Sequence, residues 1–162
     1  MEIIKIPHPV LAKNTRNLTV DEIKSGSIKE LMLEMKNAMV DHGGVGLAAN
    51  QIGKDVSIFV IDKKLAEQNN VSDVFINPEI TEYSRDTDET EEGCLSIIDY
   101  WVPIKRSKKI KIKFVDENGK KQKIKAKGFL AHVLQHETDH LNGVTIRERS
   151  VEKHKTQEPN HK

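Results

Sequence analysis

Residues Gln135-His136-Glu137-Thr138-Asp139-His140 contain His-Glu-x-x-His, and no other stretch constrains the fold so tightly. For both imidazoles to reach one point they must stand a single helical turn apart, so this stretch is predicted to be an α-helix with His136 and His140 on one face. Imidazoles so placed suit a divalent cation, and Glu137 beside them suits a water on that cation. A bound cation lowers the pKa of its water from near 16 to roughly 7, where a carboxylate within reach takes the proton at neutral pH. The pattern therefore points to hydrolysis, with the site still one protein ligand short.

At 162 residues the chain fits one domain with a real core. That domain is expected over 1–148, followed by a polar, flexible tail over 149–162. No run of about 18 apolar residues and no charged-then-apolar leader is present, so no membrane association is expected and the expected location is cytoplasmic. The single cysteine, Cys94, has no internal disulfide partner. It reads either as a ligand or nucleophile or as a small buried apolar side chain. The formal charge of +1 hides a segregation: 79–92 is strongly acidic, while 105–127 holds eleven basic residues against Asp116 and Glu117. Because those lysines alternate with Ile110, Ile112 and Phe114, they read as the solvated side of a strand, and no specific nucleic-acid partner is expected.

Apolar residues at Ile28, Leu31, Met32, Met35, Ala38 and Met39 predict an amphipathic helix over 27–41, with the methionines as core filler. Val56 to Ile61 and Val74 to Ile80 read as short strands, the first central because it is nearly all apolar, the second closed by Asn77-Pro78. Lys108 to Val115 and Lys120 to Lys127 read as a hairpin about the turn Asp116-Glu117-Asn118-Gly119. A second helix is predicted from about Phe129 to Leu141, ended by Asn142-Gly143. Thr19-Val20-Asp21-Glu22 has capping-box spacing and is expected to start at most one short turn. The predicted class is α+β, with antiparallel sheets packed around a central helix that carries His-Glu-x-x-His.

Two further segments accompany that helix: Gly44-Val45-Gly46-Leu47-Ala48-Ala49-Asn50-Gln51-Ile52-Gly53 and Glu91-Glu92-Gly93-Cys94-Leu95-Ser96. Together the three resemble the peptide deformylase family, in order and at about the family's spacing, over roughly residues 1 to 148. The resemblance implies an amide hydrolase that removes the formyl group from the N-terminal methionine of newly made polypeptides and releases formate. It implies one divalent metal held by Cys94, His136 and His140, most often Fe(II) in the family, with Ni, Co or Zn able to occupy the same place. Three protein ligands leave one position open, as catalysis requires.

The resemblance also implies Glu137 as the group that takes a proton from water and returns it to the departing amine. Gln51 and the backbone N–H of Leu95 are implied as donors to the developing oxyanion. Gly44, Val45 and Gly46 match a segment that pairs with the substrate as an added strand. Val45, Phe129, His132 and Val133 match positions that surround the methionine side chain. His132 cannot join the metal, since it stands about 12 Å from His140 along the helix. It either lines that pocket or is partly exposed, as His8, His42, His154 and His161 are expected to be. Long-tailed relatives dock on the ribosome through a basic C-terminal helix; the tail here is short, so that contact is at most transient.

The sequence departs from the family after Ser96, where Ile97-Ile98-Asp99-Tyr100-Trp101 stands in place of a run with Pro-Gly and a later Arg. Trp101 is expected to alter preference beyond the methionine without abolishing catalysis. Gly43 replaces an often acidic residue, and Arg106 keeps a basic position from which a pairing with Glu92 would brace the cysteine segment. Three other readings stay open on the residues: a metal amidase for other N-acylated substrates, a catalytically silent binding module, and a structural zinc protein.

Overall fold

In the computed structural model, residues 2–150 are described. The tail expected over 149–162 lies outside the described residues except for Arg149 and Ser150, and so do His154 and His161.

The chain begins with a short turn and α1 (Val20–Ile23). Thr19 accepts from the Glu22 N–H, and Glu22 accepts from the Thr19 N–H, so the expected capping box closes over one turn. The long helix α2 (Gly26–Asp41) follows and buries Ile28, Leu31, Met32, Met35, Ala38 and Met39, the residues its spacing selected.

Five strands form one antiparallel sheet: β1 (Gly46–Ala48), β2 (Ile58–Ile61), β3 (Val74–Tyr83), and the hairpin β6 (Lys109–Val115) and β7 (Lys121–Lys127), in the order β1-β2-β3-β6-β7. All four β2 residues are buried because each face of the sheet is covered. Ile58 and Val60 join α2 in one core cluster; Phe59 and Ile61 join the opposite one with Phe75, Ile112 and Leu134. That second cluster is built on α4 (Gly128–Leu141), the helix that contains His136, Glu137 and His140. Phe59 stacks on Phe75 at 4.8 Å between ring centroids.

Three segments differ from the sequence reading. β3 does not stop at Asn77-Pro78 but continues to Tyr83 through a bulge. There Asn77 adopts a positive φ of 50°, and its side-chain amide bonds both the N–H and the C=O of Leu18. Pro78 has no N–H to give the ladder at this bulge, and the Asn77 side chain ties it to the segment that leads into α1. A short helix, α3 (Lys63–Gln68), capped by Asp62, had no periodic signal. The largest difference is a second sheet, β4 (Thr87–Cys94) paired with β5 (Ile97–Ser107), formed from part of the acidic run and from residues to which the sequence reading assigned no element. This hairpin reaches α4 through polar contacts, including those of Asp88 and Thr90 with His132. The α+β class therefore holds, with α4 between the five-stranded sheet and the two-stranded one.

Candidate metal centre

α4 begins where Gly128, with φ 62°, turns the chain out of β7, and it ends at Gly143, whose φ of 75° and close approach to the Lys13 backbone leave no room for a side chain. Between them the helix presents His136 and His140 one turn apart, ring centroids 5.0 Å from each other. β4 brings the third group. Cys94 is the half-buried last residue of that strand, with Sγ 3.2 Å from His140 Nε2. The ligand atoms of Cys94, His136 and His140 lie within 4.8 Å of one another.

The protonation of this cluster follows from its neighbours. Burial pushes the Cys94 thiol up, but His140 and His136 beside it prevail and hold it at about 5, so at neutral pH it is the thiolate that binds metals. Burial also raises the Glu92 carboxyl, yet hydrogen bonds from Arg106 and His136 bring it down to about 2. A carboxylate so firmly ionised only accepts, so His136 donates through Nδ1 to Glu92 Oε1 at 2.9 Å. Burial disfavours charge on this imidazole, but with Glu137 and Cys94 also beside it the ring is pushed up to about 10, and a cation at Nε2 would take the place of the proton there. Arg106 makes the expected pairing with Glu92, two bonds of 2.9 Å each. Its other arm donates to Asp139 Oδ2 at 2.5 Å, and Asp139 in turn accepts from Arg149. Sequence reasoning missed Asp139, although it lies inside the motif, because its partner arrives from β5.

Glu137 is buried, and Oε1 has no hydrogen-bond partner. Burial raises its carboxyl above the ordinary range, against the opposing pull of His136 and His140. Its other oxygen lies against Gly46: a Cβ there would fall 2.6 Å from Oε2. A thiolate, two imidazoles and an unsatisfied carboxyl in one pocket fit a catalytic metal, since the trio leaves an open coordination position and Glu137 needs a partner that protein atoms do not supply.

Gln51 is also buried; its Oε1 accepts from the Ala48 N–H at 2.9 Å, which turns Nε2 toward Ser96 Oγ at 3.1 Å and Cys94 Sγ at 3.6 Å. Asn50 donates to the His140 carbonyl at 2.6 Å and ties this segment to α4. Leu95 sits in the turn between β4 and β5, its carbonyl held by Lys5.

A cavity of about 920 Å³ contains Cys94, His136 and Glu137. Gly44, Val45, Gly46, Gln51 and Leu95 line it on one side, Phe129, His132 and Val133 on another. His132 is not partly exposed: it retains 7% of its surface, donates through Nε2 to Asp88 at 2.5 Å and has Nδ1 3.1 Å from Thr90 Oγ1. His8 and His42 are exposed, as expected.

Cys94 at the end of β4 meets His136 and His140 of α4 beside a buried carboxyl and a long cavity, a set of groups of the class that suits metal-assisted hydrolysis. The sequence model of polypeptide deformylase matches residues 1–156. A peptide deformylase of Prochlorococcus marinus (strain MIT 9312) is 42% identical over 154 residues, 94% of this chain and 75% of that protein. Another from Dictyoglomus turgidum is 42% identical over 153 residues, 94% of each. The crystal structure of peptide deformylase from Thermotoga maritima superposes with a TM-score of 0.83 at 38% identity, covering 91% of this chain and 95% of that one. The chain belongs to the polypeptide deformylase family. Its reaction is removal of the N-formyl group from the N-terminal methionine of newly made polypeptides.

Proposed function

We propose that Cys94, His136 and His140 hold the metal of this deformylase and that Glu137 moves the proton, a reading carried by the buried, unpartnered Glu137 carboxyl beside the three ligand atoms. A divalent ion held there supplies Lewis acidity and a water acidified to a pKa of roughly 7. Glu137, its carboxyl raised by burial and its Oε1 unpartnered, would accept a proton from such a water and return it to the amine that leaves. Gln51 Nε2 and the Leu95 N–H donate to the oxygen that gains charge, a contribution of about 3 kcal/mol per donor. Gly44, Val45 and Gly46 receive the peptide backbone, and Val45, Phe129, His132 and Val133 surround the methionine side chain.

Fe(II) is the proposed native ion, with Ni, Co and Zn as substitutes that the same soft donor set accepts. The catalytic domain is proposed to run over 1–148 and to work in the cytoplasm on formyl-methionyl nascent chains, with at most transient ribosome contact. Among the described residues no helix is long and apolar enough to cross a membrane.

Glu137→Gln tests the role. The variant is expected to bind one equivalent of Ni(II), measured by metal analysis, and to release formate from a formyl-Met peptide at least about 10³-fold more slowly. A rate within a few-fold of wild type would remove Glu137 from the chemistry.

A further inference from the structure

The β4–β5 hairpin is irregular where it meets the cavity. Glu92 pairs with Val102 and Cys94 with Ile97, so Ile98, Asp99, Tyr100 and Trp101 stand against Gly93 alone. Asp99 takes a positive φ of 53° within this bulge. Bulges beside active sites turn side chains in new directions, and this one folds the indole of Trp101 back over the bare Gly93 backbone. A Cβ at Gly93 would lie 2.8 Å from Cε2, Cζ2 and Cη2 of that ring.

Ile98 and Trp101 are each 69% exposed, yet both line the cavity that contains Cys94 and Glu137. Large apolar side chains held open to water on the lip of a cavity mark a binding surface, and tryptophan is among the residues enriched as anchors of such surfaces. The exposed carboxyl groups of Glu91 and Asp99 share the lip. The surface is continuous with the place where the formyl group must sit, so the occupant is the peptide running out from the methionine. Resting on the site reading above, we propose that Ile98 and Trp101 form an apolar platform for one of the two residues that follow the formylated methionine. Large apolar and aromatic residues are favoured there, and acidic ones are repelled by Glu91 and Asp99.

The test uses formyl-Met-X-Ala and formyl-Met-Ala-X peptides, X being Phe, Leu, Lys or Asp, with Ni(II)-loaded wild type, Trp101→Ala and Trp101→Phe. In one series wild type is expected to favour Phe over Asp about tenfold in kcat/KM, mainly through KM. Trp101→Ala should bring that ratio to within about twofold, and Trp101→Phe should keep it. A purely structural role would slow all peptides together and leave the ratio unmoved, which would overturn the platform; so would a preference for Lys alone. Trp101 is also the sole tryptophan, so its emission reports the contact without turnover. Deformylated Met-Ala-Phe or Met-Phe-Ala is expected to shift that emission to the blue and saturate, the matching Asp peptides not. A saturable shift without formate from any peptide would support the platform and overturn the site assignment; formate release with a flat Phe-to-Asp ratio and no shift would do the reverse.

Discussion

The surroundings of Glu137 suit the proton-carrying role proposed for it. One oxygen is buried without a partner, the other is pressed toward Gly46, and the nearest ring nitrogen, His136 Nε2, stands 3.9 Å away. Gly46 is glycine for this reason: a methyl group at 2.6 Å from Oε2 would push the carboxyl aside. Gly46→Ala is expected to keep the fold, as judged by thermal melting, and to lower formate release about 10²-fold, since a misplacement near 1 Å has that effect on rate. The placement of His136 and His140 one turn apart was legible in the sequence because helical spacing alone aligns them. The environment of Glu137 was not, because Gly46 lies 91 residues earlier in the chain and only the fold joins them.

At the level of elements, the β4–β5 hairpin was the part the sequence concealed. Asp88, Glu89, Glu91 and Glu92 offer no apolar alternation, and strands are read chiefly by that signal. The hairpin is instead docked by Asp88 on His132, Glu92 on His136 and Arg106 on Asp139, partners that appear only once α4 is in place. By contrast α2, β2 and the β6–β7 hairpin carry their own periodicity and were read nearly to their ends. Arg106 holds the hairpin to α4 by bridging Glu92 and Asp139 with almost no exposure. Arg106→Met would strip Glu92 of its guanidinium and leave Asp139 with Arg149 alone, so it is expected to cost about 3 kcal/mol in urea unfolding. The same cluster sets an acid limit. Glu92 is held at about 2 against an ordinary value of 4.5, so its stabilisation is fully present above 4.5 and is lost as pH falls toward 2. The contribution is on the order of 3 kcal/mol. Urea midpoints between pH 2 and 6 should therefore fall more steeply in wild type than in Glu92→Gln.

For the whole molecule, the two core clusters lie on opposite faces of the five-stranded sheet and include none of Cys94, His136 or His140. Chelation is accordingly expected to abolish formate release while the far-UV dichroism and most of the melting temperature remain, whereas unfolding on chelation would mean a structural metal. The α+β class and the three signature segments were readable from the chain because family spacing and local pattern agree there. The course of the groove was not, since it depends on a bulge that throws Trp101 across Gly93. The most direct test of the account is formate release from a formyl-Met peptide, with an acetyl-Met peptide as control, by protein purified without oxygen and reconstituted separately with Fe(II), Ni(II) and Zn(II). Rapid, metal-dependent release confined to the formyl peptide is the predicted result; no release with any of the three ions bound one to one would contradict it.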